Sequence, residues 1–145
     1  MSLSPNNESG SDDGPHKASI LLVEDDEPVR KLARFILESD GFEVLEARDA
    51  QDALNQSQTY AGSIELLVTD VVMPGTSGTT LAKLIVGERP RIKVLFLSGY
   101  PDDIIPKDDD EYRGMQFLKK PFTPDLLLRE VRKILLNDRE PATVG

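Results

Sequence analysis

Leu66-Leu67-Val68-Thr69-Asp70-Val71-Val72-Met73-Pro74-Gly75-Thr76-Ser77-Gly78 is the stretch that decides the fold. It opens as a short apolar run with β-branched members, stops on a carboxylate and breaks into Pro and Gly. That pattern predicts a buried parallel strand ending at Asp70, followed by a tight loop. Open α/β sheets place their ligands at the C-terminal ends of their strands. An Asp after a strand also serves as a plain turn residue, so the rest of the chain has to decide between the two roles.

Working outward, strand and helix alternate. Upstream, Ser19 to Val23 is an apolar strand running into the acidic cluster Glu24-Asp25-Asp26-Glu27, and Pro28 suits the first turn of a helix. Val29, Leu32, Ala33 and Ile36 follow helical spacing and predict the buried face; Gly41 stops the helix. Phe42 to Ala47 is a second strand, Asp49 or Ala50 to about Gln58 a second helix, and Ile64 to Asp70 the third strand. Downstream, Thr79 to about Val86 is a short helix and Ile92 to Ser98 a strand. Tyr100 to Tyr112 carries Pro101, Pro106 and a crowd of acidic residues, so a helix there is short or irregular. Met115 to Lys119 is a further strand, and Pro124 to Leu136 an amphipathic helix with Leu127, Val131 and Ile134 inward. Helical crossovers between successive strands imply a parallel sheet covered on both faces.

Composition bounds the function. The 145 residues suffice for one domain with a real core. Residues 1–17 and 137–145 are polar and lack apolar periodicity, so both read as flexible tails or linker, leaving 18–136 as the domain. A net charge of −9 argues against non-specific binding to nucleic acid or an anionic membrane surface. No apolar run approaches the roughly 20 residues of a membrane span, and no signal peptide is evident, so the expected location is cytoplasmic. Cysteine is absent, and His16, the only histidine, lies in the polar lead-in, which excludes thiol and His-based centres. The short polar segment after the last helix is too small for a DNA-binding domain. The chain is expected to be a stand-alone regulator or a domain cut from a larger protein, and its linker-like start favours the second.

The strand ends collect the chemistry. The first strand delivers Glu24, Asp25 and Asp26, the third Asp70, the fourth Ser98, and the fifth Lys120 just before Pro121. In a doubly wound sheet these converge on one edge. Crowded carboxylates repel and call for a cation, and an oxygen-only donor set favours Mg²⁺. A carboxylate also serves as nucleophile toward phosphorus. A lysine, a hydroxyl and a metal would then neutralise the phosphoryl oxygens.

Val23-Glu24-Asp25-Asp26, Thr69-Asp70-Val71-Val72-Met73-Pro74-Gly75, Leu97-Ser98-Gly99 and Lys119-Lys120-Pro121-Phe122 together resemble the receiver domain of two-component response regulators. The resemblance covers about Ala18 to Leu136. It implies an α/β, flavodoxin-like (CheY-like) fold, a doubly wound five-stranded parallel sheet of order 2-1-3-4-5 with five helices. It implies that Asp70 accepts a phosphoryl group from a phosphohistidine on a histidine kinase or histidine phosphotransfer protein, with Ser98 and Lys120 assisting. It implies Mg²⁺ held by Asp25, Asp70 and the backbone carbonyl of Val72, with Glu24 acting through water. The acidic pair reads as Glu24-Asp25 or as Asp25-Asp26, which keeps Asp26 as an alternative ligand; the basic residue Arg30 favours the first. Lys120 directly precedes the proline, as the family lysine does, and the Lys120-Pro121 bond is expected to be cis. Ser98 and Phe117 fall at the family's switch positions, and Val72 and Tyr100 at those flanking the water that hydrolyses the phosphoryl group. Leu95 to Tyr100 and Phe122-Thr123-Pro124 further resemble receivers attached to hybrid sensor histidine kinases.

The resemblance implies a signalling module that catalyses its own phosphorylation and dephosphorylation and turns over no external metabolite. The charge and the lack of an apolar span predict no membrane contact by this chain, and a monomer or weak dimer is expected; the weak fourth-helix region puts dimerisation through that face in doubt. A haloacid-dehalogenase-type phosphohydrolase would carry a second Asp two residues after the nucleophile, where this chain has Val72. A pseudo-receiver used only for contacts would not need the intact acidic cluster, Asp70, Ser98 and Lys120. On the first helix, Phe35 projects away from the core stripe. It is either a docking residue for the phosphohistidine partner or folds down over the core edge.

Overall fold

The computed structural model describes residues 18–99 and 115–136. Five parallel strands, β1 (Ser19–Val23), β2 (Glu43–Ala47), β3 (Leu66–Asp70), β4 (Lys93–Ser98) and β5 (Gln116–Lys119), form one sheet in the order β2-β1-β3-β4-β5. The described helices are α1 (Glu27–Ser39), α2 (Ala50–Thr59), α3 (Gly78–Glu88) and α4 (Pro124–Leu136). The fifth expected helix falls in the Tyr100 to Tyr112 stretch, outside the described residues, as do the two tails.

The side-chain period of the strands builds two cores. Leu21, Val23, Leu67, Val94 and Phe96 point to one face and meet Ala53 of α2 and Leu81 and Ile85 of α3. Ile20, Leu22, Val68, Leu95 and Leu97 point to the other and meet Ala33, Ile36 and Leu37 of α1 and Leu127, Val131 and Ile134 of α4. β1 and β3 are buried at every position, as strands covered on both faces must be.

The predicted face of α1 is rotated. Leu32 is 51% exposed, and Leu37, absent from the predicted stripe, is fully buried. At 100° per residue Leu37 lies only 40° from Ala33, whereas Leu32 lies 100° away on the flank. Phe35 is 70% exposed, so it does not fold down over the core. Strand starts also shift: Ile64 is buried but precedes β3, and Phe42, Ile92 and Met115 lie just ahead of β2, β4 and β5. The third helix is longer than predicted at both ends. Ser77 caps it by accepting from the Thr80 amide at 3.2 Å, and the helix runs on past Val86 through Gly87 to Glu88.

Candidate functional site

The register sets the strand ends side by side. Val23 pairs with Ala47 and Thr69, Asp70 with Leu97, and Ser98 with Lys119. The residues just past these ends therefore share one rim, where Glu24, Asp25, Asp26, Asp70, Val72 and Lys120 help line an open cleft of about 490 Å³.

Glu24 is the anchor of the acidic loop. Only 1% exposed, it accepts from the Asp26 amide at 3.0 Å through Oε2 and from Lys120 Nζ at 3.1 Å through Oε1. Asp25 is exposed and faces the cleft. Asp26 starts α1 instead: its carboxylate accepts from the Val29 amide at 3.2 Å, satisfying a helix-end donor. Oxygens of Glu24, Asp25 and Asp70 lie within 4.8 Å of one another, a grouping that does not include Asp26.

Asp70 ends β3 and is 4% exposed. Lys120 Nζ stands 2.8 Å from its Oδ1, at ion-pair distance. Burial pushes the Asp70 carboxyl up to about 8; Glu24 adds to the rise and Lys120 opposes it. Burial also works against the charge on Lys120, but Asp70 and Glu24 outweigh it and hold the ammonium above its ordinary range. Two buried carboxylates and one ammonium leave this corner short of positive charge. A small hard cation beside Asp25 would supply it, and the all-oxygen donor set suits Mg²⁺.

The loop after β5 aims Lys120 inward. The Lys120 amide donates to the Ser98 carbonyl at 2.8 Å, and the Lys120-Pro121 bond is cis. Lys119 is exposed, as a solvated strand neighbour is. Ser98 is half-buried at the end of β4. Phe117 is half-buried on β5 and stacks on Phe96, ring centres 5.3 Å apart. Val72 is 58% exposed at the cleft mouth. Tyr100 lies outside the described residues.

Sequence reasoning missed Gly78. A Cβ there would stand 1.7 Å from the Asp70 carbonyl oxygen, so the start of α3 packs directly on the backbone of the strand-end carboxylate. The signal was in the quoted stretch, in a glycine where a helix begins. Among the described residues no helix is long and apolar enough to cross a membrane.

A family model describing the response regulator receiver domain matches residues 20–132. Over 118 residues the chain is 36% identical to the sensor kinase CckA of Brucella abortus (strain 2308), covering 81% of this chain and 12% of that kinase. It is 33% identical over 117 residues to the response regulator receiver protein CpdR of the same strain, covering 81% of this chain and 96% of that protein. The crystal structure of the receiver domain from the hybrid histidine kinase CckA superposes with a TM-score of 0.70 at 39% identity, covering 81% of this chain and 99% of that one.

Proposed function

The chain belongs to the response regulator receiver domain family of two-component systems, and from that premise we propose that it is a phosphoacceptor, taking a phosphoryl group from a partner's phosphohistidine onto Asp70. One observation carries the reading. A buried strand-end carboxylate, held off its ordinary ionisation and paired with Lys120 at 2.8 Å, lines an open cleft together with two further acids.

An Asp70 carboxylate oxygen attacks phosphorus in line, the O–P bond forms as the N–P bond breaks, and the imidazole leaves with the electron pair. Lys120, already at Asp70, neutralises a phosphoryl oxygen, and the Ser98 hydroxyl donates to another. Asp25, Asp70 and the Val72 carbonyl would hold Mg²⁺, with Glu24 reaching it through water. When bound, the ion screens the carboxylates and the phosphoryl charge. Movement of Ser98 toward the new acceptor opens space for Phe117, a shift between two packings. Val72 and Tyr100 shield the acyl phosphate from water.

The exposed Phe35 on α1 suits docking of a histidine kinase or histidine phosphotransfer protein. The likeness to the kinase's receiver supports a parent of the hybrid-kinase kind; the proposed location is the cytoplasm, and the proposed state of the domain a monomer or weak dimer. The test is uptake of phosphate from a small phosphodonor such as acetyl phosphate, followed by gel mobility with Mg²⁺ and with EDTA. Uptake with Mg²⁺ that EDTA abolishes is the expected result; equal uptake in both, or none, overturns the reading.

A further inference from the structure

We propose that Arg30, braced by Glu46, is a positioning residue that sets the Mg²⁺ affinity of the site by fixing the backbone that carries Asp25; this rests on the proposed phosphoacceptor reading. Arg30 leaves α1 on the flank opposite Leu32 and is only 13% exposed in its side chain. Its Nη1 donates to the Glu24 carbonyl at 2.9 Å, and its Nε donates to Glu46 Oε1 at 3.1 Å. That carbonyl belongs to the rigid peptide unit joining Glu24 to Asp25. Fixing it fixes the direction in which the Asp25 carboxylate leaves the chain. No hydrogen bond to the Asp25 carboxylate itself occurs among the described residues, so its placement comes from the backbone.

Glu46 is the brace. It lies on β2, the edge strand, and accepts from Arg34 Nη1 as well as Arg30. Burial works against its ionisation, but those two guanidinium groups outweigh it and hold its carboxyl below the ordinary range. Gln56 of α2 donates to its backbone carbonyl. The Glu24 amide donates to the Ala47 carbonyl at 3.1 Å, a second tie between the loop and the same strand. A planar guanidinium suits the bridge because one rigid fork reaches both acceptors.

The sign of the effect separates positioning from charge. Removing a positive charge near the site would by Coulomb's law alone tighten cation binding. Loss of positioning weakens it. Mg²⁺ titration calorimetry on the unphosphorylated full chain should give about ten-fold weaker binding for Arg30→Met, the scale of a lost outer-shell partner. Glu46→Gln should weaken binding in the same direction, still at about 0.5 M salt where long-range charge effects are screened. The double variant should be no weaker than Arg30→Met. Arg132→Met, which breaks the ion pair with Asp40, should leave Mg²⁺ affinity unchanged. Unchanged or tighter binding by Arg30→Met overturns the proposal, as does equal weakening by Arg132→Met. If Arg30→Met does not fold, Glu46→Gln decides alone, and wild-type affinity in it at high salt overturns the proposal. Wild-type protein that binds no Mg²⁺ would bring down the metal centre and this role together; wild-type binding with an unaffected Arg30→Met removes the positioning role only.

Discussion

Gly78 and Asp70 meet backbone to backbone. A Cβ on Gly78 would lie 1.7 Å from the Asp70 carbonyl oxygen and 3.2 Å from Thr69 Oγ1, and the Gly78 amide donates to the Val71 carbonyl at 2.8 Å. The first turn of α3 is thus seated against the backbone at the end of β3, the segment from which the Asp70 carboxylate leaves.

Gly78→Ala should therefore damage both fold and site. The overlap is with backbone, which yields less readily than a side chain. The expected loss is about 1–3 kcal/mol, in the range of overpacked cores, read by denaturant unfolding, together with reduced phosphate uptake by the fraction that remains folded. Wild-type stability and uptake would show that the contact is easily relieved.

The raised Asp70 carboxyl makes metal-free stability depend on pH. An acid that folding keeps protonated adds stability fully present below its unfolded value of 3.8 and lost as pH rises through about 8. Asp70→Asn has no such titration. In EDTA its melting temperature should match wild type near the acid end of that window and exceed it increasingly toward the alkaline end. Saturating Mg²⁺ should narrow the gap. A difference independent of pH would contradict the assignment.

Phe35→Ala should separate docking from chemistry. The residue is 70% exposed, so removal of its side chain should change stability by no more than about 0.5 kcal/mol. Labelling by acetyl phosphate should stay at the wild-type rate, while transfer from a phosphohistidine partner slows. Equal rates in both assays would remove Phe35 from the docking face.

Val72 and Tyr100 should control how long the acyl phosphate lasts. Neither side chain orients an attacking water as a carboxylate or amide would. In the double variant Val72→Asn with Tyr100→Glu, phosphate release after donor removal should be about ten-fold faster, roughly 1.4 kcal/mol of barrier. Unchanged decay would show that these side chains do not govern water access.

The alternation of strands and helices was legible because each strand is a short apolar run closed by a polar or Gly/Pro stop. Glu24, Asp25, Asp70 and Lys120 were legible because a parallel sheet brings its strand ends to one rim, and the structure gathers them there. The face of α1 was not. Leu32 and Leu37 are equally apolar; the spacing puts Leu37 nearer the line of Ala33, and packing against the sheet and α4 fixes how far the stripe rotates. The division of labour within the acidic run was legible only in part: Arg30 favoured Glu24-Asp25 as the pair, but Asp25 and Asp26 are the same residue type and the capping role of Asp26 needs the helix in place. Arg30 stood out as a basic residue, but its bridge to Glu46 needs α1 and β2 in place.

The most direct test of the central claim is chemical location of the phosphoryl group. An aspartyl phosphate is an acyl phosphate, which borohydride reduces to homoserine. After treatment with acetyl phosphate and Mg²⁺, then borohydride, peptide mass mapping should find homoserine in place of Asp70 and Asp at every other aspartate position. Homoserine at Asp25 or Asp26, or unmodified Asp70 in protein that has taken up phosphate, would contradict the account.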